Sequence, residues 1–518
     1  MEKFRAAPPG RRKEVTRPEP ETARRRHSQR TALGMEELRM RRIGLVLLLA
    51  AALTLLPGRP AAAAPAGAAQ PPTQLYTVVF GGWTLPPDAS ALVRANGGEI
   101  TVTVPEIGVL EARAGGGFVG GMLACPGVLT VGPSLPLALE RLPAEPADLP
   151  LGAADLTGPG DYYRLYQWDI KRVTRDGASY ALGTGSHRTV VAVVDTGFFP
   201  HPDVAMNFLG GRNLIPAGGF GDDPTETGDP NDYWDRHGHG THCAGTIAAN
   251  GKVYGVGPDL GLRAYRVLTR EGSGTTAWVA AGIVAAVKDG CRVVSMSLGG
   301  YDVKGQYWWT DPVTGETYRL GNDVASFLAY RRAVEFASRN DTVVVAAAGN
   351  DALDVTRRHD VTEWLNEQYG VYGYTFVGAT VESPGSVPGV ITVSATGPGD
   401  LLSSYSNYGP GFIDLAGPGG DFRRYPNPGW YTDMCLNCYG KYLPNGQPYA
   451  GYAWMAGTSM ATPKVAAVAA LLADRHPGYS AAQIKALLLQ TADDIGKPGT
   501  DGLFGFGLVD AFSALAAK

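Results

Sequence analysis

The sequence predicts an α/β protein, a mostly parallel sheet flanked by helices, preceded by a small α+β module. Three observations predict it. From Tyr162 onward, six short runs that are apolar on both faces recur between helical stretches, as strands do when a parallel sheet is covered on both sides. Residues 75–139 alternate instead in a β-α-β-β-α-β order. The 518 residues are 44% hydrophobic and 18% charged, enough for a large core, and Gly plus Pro stay below the level of a disordered polymer.

The N-terminus comes first. Residues 1–34 are Arg- and Pro-rich and lie upstream of Met35 and Met40, two better-placed starts, so residues 1–39 are expected to be a non-native or disordered extension. Met40-Arg41-Arg42, the 14-residue apolar run Ile43–Leu56 and the alanines Ala61–Ala64 read as a signal peptide over residues 40–69. That run is shorter than the roughly 20 residues a membrane span needs, an uncleaved anchor being the alternative. Residues 1–64 carry 14 Lys/Arg against 6 Asp/Glu, and with a net charge of −4 overall the remainder is acidic. An acidic body excludes general nucleic-acid binding, which rests on cationic contacts to phosphates.

The small module follows over residues 70–139. Strands are expected at Leu75–Phe80, Ile100–Val104, Val109–Ala112 and Val128–Val131, and helices at Asp88–Asn96 and Phe118–Leu123. Residues 140–161 hold Pro143, Pro146, Pro150 and Pro159 and read as a linker. The larger domain spans 162–518. Its expected strands are Val190–Val194, Arg263–Leu268, Val293–Leu298, Val343–Ala347, Val390–Ser394 and Phe412–Leu415. Residues 301–321, 351–387 and 421–452 are rich in Tyr, Trp, Gly and Pro and read as loop insertions. In open α/β sheets, ligands bind beyond the carboxyl ends of the strands, so the chemistry is sought there.

Three clusters stand out. The first strand ends in Asp195-Thr196-Gly197, which alone also marks aspartic proteases; those need a second such aspartate, and none occurs. His237-Gly238-His239-Gly240-Thr241-His242 suggests zinc, but further ligands on later loops are not evident. Gly240, Ala244 and Gly245 imply a helix packed closely on other backbone. Gly457-Thr458-Ser459-Met460-Ala461-Thr462-Pro463 opens an alanine-rich helix, where Ser459 could be an ordinary N-cap and Pro463 falls in the first turn. Together they fit one chemistry. A serine hydroxyl is a poor nucleophile until a histidine takes its proton, and that imidazole needs a carboxylate to fix its tautomer.

At this point the sequence resembles the subtilisin-like serine proteases, the subtilases (peptidase S8). The resemblance rests on Val193-Val194-Asp195-Thr196-Gly197, His239-Gly240-Thr241-His242-Cys243-Ala244-Gly245-Thr246 and the Gly457–Pro463 block, and covers about residues 160–516. It implies Asp195 as orienting acid, His239 as general base, Ser459 as nucleophile and Asn350, after Ala346-Ala347-Ala348-Gly349, as oxyanion-hole donor. Gly272-Ser273-Gly274 and Ser297-Leu298-Gly299-Gly300 resemble the two segments that flank a bound peptide. Asp351 stands where the family often lines the first specificity pocket, an acidic wall that would favour basic residues. Residues 70–139 resemble the family's ferredoxin-like propeptide, which implies an intramolecular inhibitor and self-cleavage within 140–161. The implied protein is a secreted, extracellular endopeptidase made as a zymogen, acting as a monomer on polypeptide substrates.

No cofactor is required for that chemistry. The resemblance leaves room for structural calcium: Asp203 matches one ligand of a common site, and the acidic run Asp222–Asp235 offers oxygens, with no ligand assigned. Five cysteines, Cys125, Cys243, Cys291, Cys435 and Cys438, leave at least one thiol unpaired; Cys435 and Cys438 suit a local disulfide or reduced thiols and Cys243 a buried place beside the active site. A non-catalytic binding protein on the same scaffold and a zinc hydrolase are the competing readings. The filled triad positions oppose the first, and the missing zinc ligands oppose the second.

Overall fold

A computed structural model describes residues 73–139, 144–146, 158–221 and 223–517. The chain divides into two units, Met1–Pro65 and Ala66–Lys518. The expected extension and signal peptide lie outside the described residues, as do most of the linker and its cleavage bond.

The small module has the expected order: β1 (Gln74–Phe80), α1 (Ala89–Ala95), β2 (Glu99–Val104), β3 (Val109–Ala114), α2 (Phe118–Leu123) and β4 (Val128–Pro133). The strands form an antiparallel sheet in the order β2-β3-β1-β4. Their period-2 alternation serves two cores. Tyr76, Val78, Phe80 and Leu110 pack with Val93, Phe118 and Met122 under the module's own helices. Val79 and Val109 face the other way, with Val104 and Ile107, into the core of the larger domain.

Two short strands follow, β5 (Leu137–Ala138) and β6 (Ala144–Pro146), then helices α3 (Asp161–Tyr166) and α4 (Trp168–Thr174). The larger domain continues with β7 (Val190–Asp195), β8 (Phe208–Asn213), α5 (His239–Ala248), β9 (Gly261–Arg266), β10 (Ser273–Gly274), α6 (Thr276–Lys288) and β11 (Val293–Met296). Next come β12 (Gly300–Val303), β13 (Gln306–Thr310), β14 (Thr317–Gly321), α7 (Val324–Arg339), β15 (Val343–Ala347), α8 (Arg358–Tyr369), β16 (Tyr374–Val377) and β17 (Thr380–Ser383). The chain closes with β18 (Val390–Thr396), β19 (Leu415–Pro418), β20 (Cys435–Tyr442), β21 (Pro448–Met455), α9 (Thr458–Arg475), α10 (Ala481–Gln490) and α11 (Ala511–Ala516).

The central sheet has seven parallel strands in the order β19-β18-β15-β11-β7-β9-β8, and its strands are buried as the apolar runs require. Helices α5 and α9 cover one face and α6 and α7 the other. The edge strand β8, Phe-Leu-Gly-Gly-Arg-Asn, carries no apolar period and was not among the expected strands. The run Phe412–Leu415 precedes its strand rather than forming it, and the run Val293–Leu298 leaves the sheet at Met296.

The linker and insertions are more regular than their composition suggests. β5 pairs with β10, and β6 becomes the third strand of the β20–β21 hairpin. The 301–321 and 351–387 segments build two small sheets, β14-β13-β16 and β12-β17, under α8. The small module docks on α6 and α7: Trp278 Nε1 donates to Glu111 at 3.0 Å, and Arg332 donates to the carbonyls of Gly82 (2.8 Å) and Ile107 (2.9 Å). No described helix is long and apolar enough to cross a membrane.

Candidate active site

β7 delivers Asp195 at the carboxyl end of the sheet, and α5 begins with His239 directly beside it. His239 Nδ1 lies 2.8 and 3.0 Å from the two carboxylate oxygens of Asp195. A carboxylate only accepts, so Nδ1 carries the hydrogen and Nε2 is left as the base when the ring is neutral. Both residues are buried. Burial, the largest single influence, disfavours a charged imidazole, but the charge and hydrogen bond of Asp195 together with those of Cys243 outweigh it and hold His239 well above the ordinary histidine range.

The start of α5 is fixed by Asp235, which the sequence reading counted only among the oxygens of the acidic run. Asp235 is fully buried and accepts from the amides of His237 (2.9 Å), Gly238 (2.7 Å) and Thr241 (3.0 Å) and from the hydroxyls of Thr241 (2.7 Å) and Thr196 (3.0 Å). It joins the loop after Asp195 to the helix of His239. An acid four residues before a histidine at a helix start was the available signal. A Cβ on Gly240 would strike the Gly197 carbonyl oxygen, so the close approach read from the glycine holds.

Ser459 is the second residue of α9. Its Oγ donates to the Ser297 carbonyl at 3.1 Å rather than to His239. The helix begins at Thr458, which places Pro463 at its sixth residue and not in the first turn. Proline has no N–H for the carbonyl four residues back, and that carbonyl belongs to Ser459. Ser297 Oγ fills the gap at 2.8 Å, and Cys243 Sγ reaches the same oxygen at 3.6 Å. Asn350 Oδ1 accepts from the amide and hydroxyl of Thr458, each at 2.8 Å. An amide N–H can meet only an acceptor there, so the Asn350 NH₂ must point the other way, along the cleft wall it shares with Ser459.

The expected substrate segments border the same cleft. Leu137 and Ala138 pair antiparallel with Gly274 and Ser273, and the Leu139 amide donates to the Gly272 carbonyl at 2.8 Å. Leu139 lies 3.2 Å from where a Gly272 Cβ would stand. Ser297, Leu298, Gly299 and Gly300 line the opposite side. Asp351 also lines the pocket, with one oxygen accepting from the Tyr301 hydroxyl at 2.7 Å.

The three histidines do not converge on an ion. His242 Nε2 sits between the carbonyls of Cys435 (3.3 Å) and Ala453 (3.2 Å), and burial pushes its pKa down to about 3. Burial and the neighbouring His239 push His237 down to about 4. Calcium does not fit at Asp203 either. Its Oδ2 accepts from the amides of Lys252 and Val253 and the Tyr452 hydroxyl, and its ion-sized neighbours are His201 and Cys438, not oxygens. In the acidic run, Asp235 caps α5, while Glu226 and Asp232 pair with Arg266, and Asp232 with Arg236. All five cysteines are free thiols. Burial raises the Cys243 pKa, which suits packing beside His239 and not nucleophilic attack.

Residues 186–507, more than half the chain, match the model of the subtilase family, peptidase S8. The chain belongs to the subtilase family. This subtilase is 34% identical over 340 residues to the nisin leader peptide-processing serine protease NisP of Lactococcus lactis subsp. lactis, covering 64% of this chain and 47% of that protein. It is 31% identical over 318 residues to the epidermin leader peptide-processing serine protease EpiP of Staphylococcus epidermidis, covering 60% and 65%. It therefore spans less than two thirds of the length of these relatives. The crystal structure of EpiP from Staphylococcus aureus superposes with a TM-score of 0.68 at 28% identity, covering 86% of this subtilase and 99% of that chain.

Proposed function

We propose that this subtilase is a serine endopeptidase that hydrolyses peptide bonds through an acyl-enzyme on Ser459. The observation that carries the reading is the His239 ring, hydrogen-bonded through Nδ1 to both oxygens of Asp195 at the rim where Ser459 starts its helix. Catalytic hydrogen bonds often form only with substrate in place. Rotation of the Ser459 Oγ from the Ser297 carbonyl toward His239 Nε2 would let the ring take its proton as the oxygen attacks the scissile carbonyl. The proton then goes to the leaving amine, and water, activated by the same nitrogen, releases the acid. The Asn350 NH₂ and the Ser459 amide at the start of α9 are the proposed donors to the oxyanion.

A peptide would add as a strand between β10 and residues 297–300, bound through its main chain. Leu137–Ala138 in that place supports the small module as an intramolecular inhibitor, released by self-cleavage in 140–161. The signal-like residues 40–69 support export of the precursor. The names of the relatives make precursor peptides carrying a leader the first substrates to try.

Labelling with an organofluorophosphate tests the reading. Ser459 is expected to be modified, with labelling and peptide hydrolysis both abolished in Ser459→Ala. Hydrolysis that survives Ser459→Ala would overturn it.

A further inference from the structure

Three side chains of metal-binding type meet outside the catalytic cleft. His201 and Asp203 lie in the loop after β7, and Cys438 lies in β20, opposite Tyr452 of β21. One ligand atom from each falls within 4.8 Å of the others, and none of the three residues lines the cleft of Ser459. All three are buried, at 3%, 7% and 0% exposure. Among the described residues the other such group is Asp195, His239 and Cys243, where the acid and the ring are already bonded to each other.

The acid is held so that one oxygen is left over. Its Oδ2 accepts from the amides of Lys252 (2.9 Å) and Val253 (3.1 Å) and from the Tyr452 hydroxyl (3.0 Å). The Asp203 carbonyl accepts from the Asn250 amide at 2.7 Å, so the 250–253 loop wraps the residue. A Cβ on Gly251 would strike Oδ1, which makes no hydrogen bond among the described residues. The neighbouring cation does not neutralise the acid, because Lys252 places its Nζ over the Tyr162 ring, 5.4 Å from the centroid. The imidazole is set in a similar way. The Asp203 amide donates to His201 Nδ1 at 3.2 Å, and the Tyr452 ring meets the imidazole edge to face with centroids 5.0 Å apart. An amide only donates, so Nδ1 keeps a lone pair, engaged by a long contact that an ion could displace. Cys438 is a free thiol.

A thiol, an imidazole nitrogen and a carboxylate oxygen make a mixed donor set. Calcium and magnesium ask for oxygens, whereas zinc takes all three in a tetrahedron. Zinc bonds of about 2.0–2.3 Å set the donors about 3.5 Å apart, so binding draws the cluster in slightly. The hydrogen bonds to Oδ2 orient the carboxylate from outside, as the outer partners of a zinc ligand do. Binding exchanges the Cys438 S–H bond for an S–Zn bond, with the proton released to solvent and no change of oxidation state. Water completes the fourth place.

We propose that His201, Asp203 and Cys438 form a structural zinc site. It ties the loop that follows the Asp195 strand to the hairpin whose last residue, Met455, leads into the helix of Ser459. The ion would brace the frame of the cleft and take no part in hydrolysis, so the proposal stands apart from the peptidase reading.

The test uses the full chain carrying Ser459→Ala, reduced, stripped of metal and titrated with cobalt(II) as the spectroscopic probe. One cobalt per chain is expected, with a thiolate-to-cobalt charge-transfer band and the intense visible bands of a tetrahedral ion, both erased by added zinc. The charge-transfer band should be lost in Cys438→Ser and kept in Cys243→Ser, and His201→Gln should weaken cobalt binding at least tenfold. Zinc at 100 times its Kd should lower the unfolding equilibrium constant about 100-fold, and should do so far less in His201→Gln. If Cys438→Ser does not fold, the His201→Gln and Cys243→Ser arms read the same site. A folded chain that binds no cobalt overturns the proposal. So does a band that survives Cys438→Ser or vanishes in Cys243→Ser, and so does a site that takes calcium in preference to zinc.

Discussion

Replacing Ser297 by alanine is expected to leave the carbonyl of Ser459 buried without its main partner. The helix lacks its usual donor there, because Pro463 stands where the matching N–H would be. The hydroxyl meets that oxygen at 2.8 Å, and the remaining Cys243 thiol at 3.6 Å is a weak donor. An orphaned buried acceptor costs about 1–3 kcal/mol. If the contact is absent from the unfolding transition state, about 2 kcal/mol accelerates unfolding about 30-fold. The assay is the unfolding rate in concentrated guanidinium, with every variant carrying Ser459→Ala to prevent self-digestion while keeping the backbone carbonyl. Pro463→Ala restores an N–H at the helical position, so Ser297→Ala should cost less in that background, by about 1 kcal/mol or more. Equal costs of Ser297→Ala with and without Pro463→Ala would refute the reasoning.

Four further outcomes are expected. Asn350→Leu should lower kcat by about 10²–10³ with little change in KM, a loss of the size known for this donor in subtilisin, itself a member of the family. Because Asp195 raises the His239 pKa and the base must be neutral, kcat/KM should rise with pH through a single ionisation above the ordinary histidine value and be lost below it; Asp195→Asn should move that limb to lower pH in the pH–rate profile. Lys464 and Asp169 form a fully buried ion pair at 2.7 Å, so Lys464→Met should destabilise by about 3–5 kcal/mol, with Asp169→Leu in the same chain recovering most of it in denaturant unfolding. Arg141 is the single basic residue between Arg113 and Arg164, so mass spectrometry of the precursor should find the self-cleavage at Arg141–Leu142 and no cleavage in Ser459→Ala; a bond elsewhere in 140–161 would contradict it.

The sequence made legible what period and local chemistry control. Five of the six apolar runs fell on strands of the sheet and the sixth ended where its strand begins, because a strand covered on both faces has no polar position to hide it. β8 was hidden by its two glycines and an arginine, tolerated at an edge where one side needs no partner. The regular structure in the insertions was hidden too, since their aromatic residues follow no single period. At the site, Asp195, His239 and Ser459 were readable because each sits in a local string of small residues. The groups that hold them were not. Ser297 and Ser459 are 162 positions apart, and nothing local announces that one hydroxyl replaces the N–H missing at Pro463.

These groups suggest how freedom is distributed in the site. Asp235 fixes the start of α5 through five hydrogen bonds, and Thr458 fixes the Asn350 oxygen through two. Ser297 and Cys243 hold the Ser459 carbonyl, which ties the Ser459 backbone to the end of β11 and to the helix of His239. Each clamp acts on backbone or on the inner end of a side chain. What is left to turn or to meet a ligand is the Ser459 hydroxyl and the outward face of the Asn350 amide. They are the two groups that a peptide would have to meet, at its carbonyl carbon and its carbonyl oxygen. A frame this rigid lets reaction begin with one rotation about the Ser459 Cα–Cβ bond, so little reorganisation is left for the chemical step.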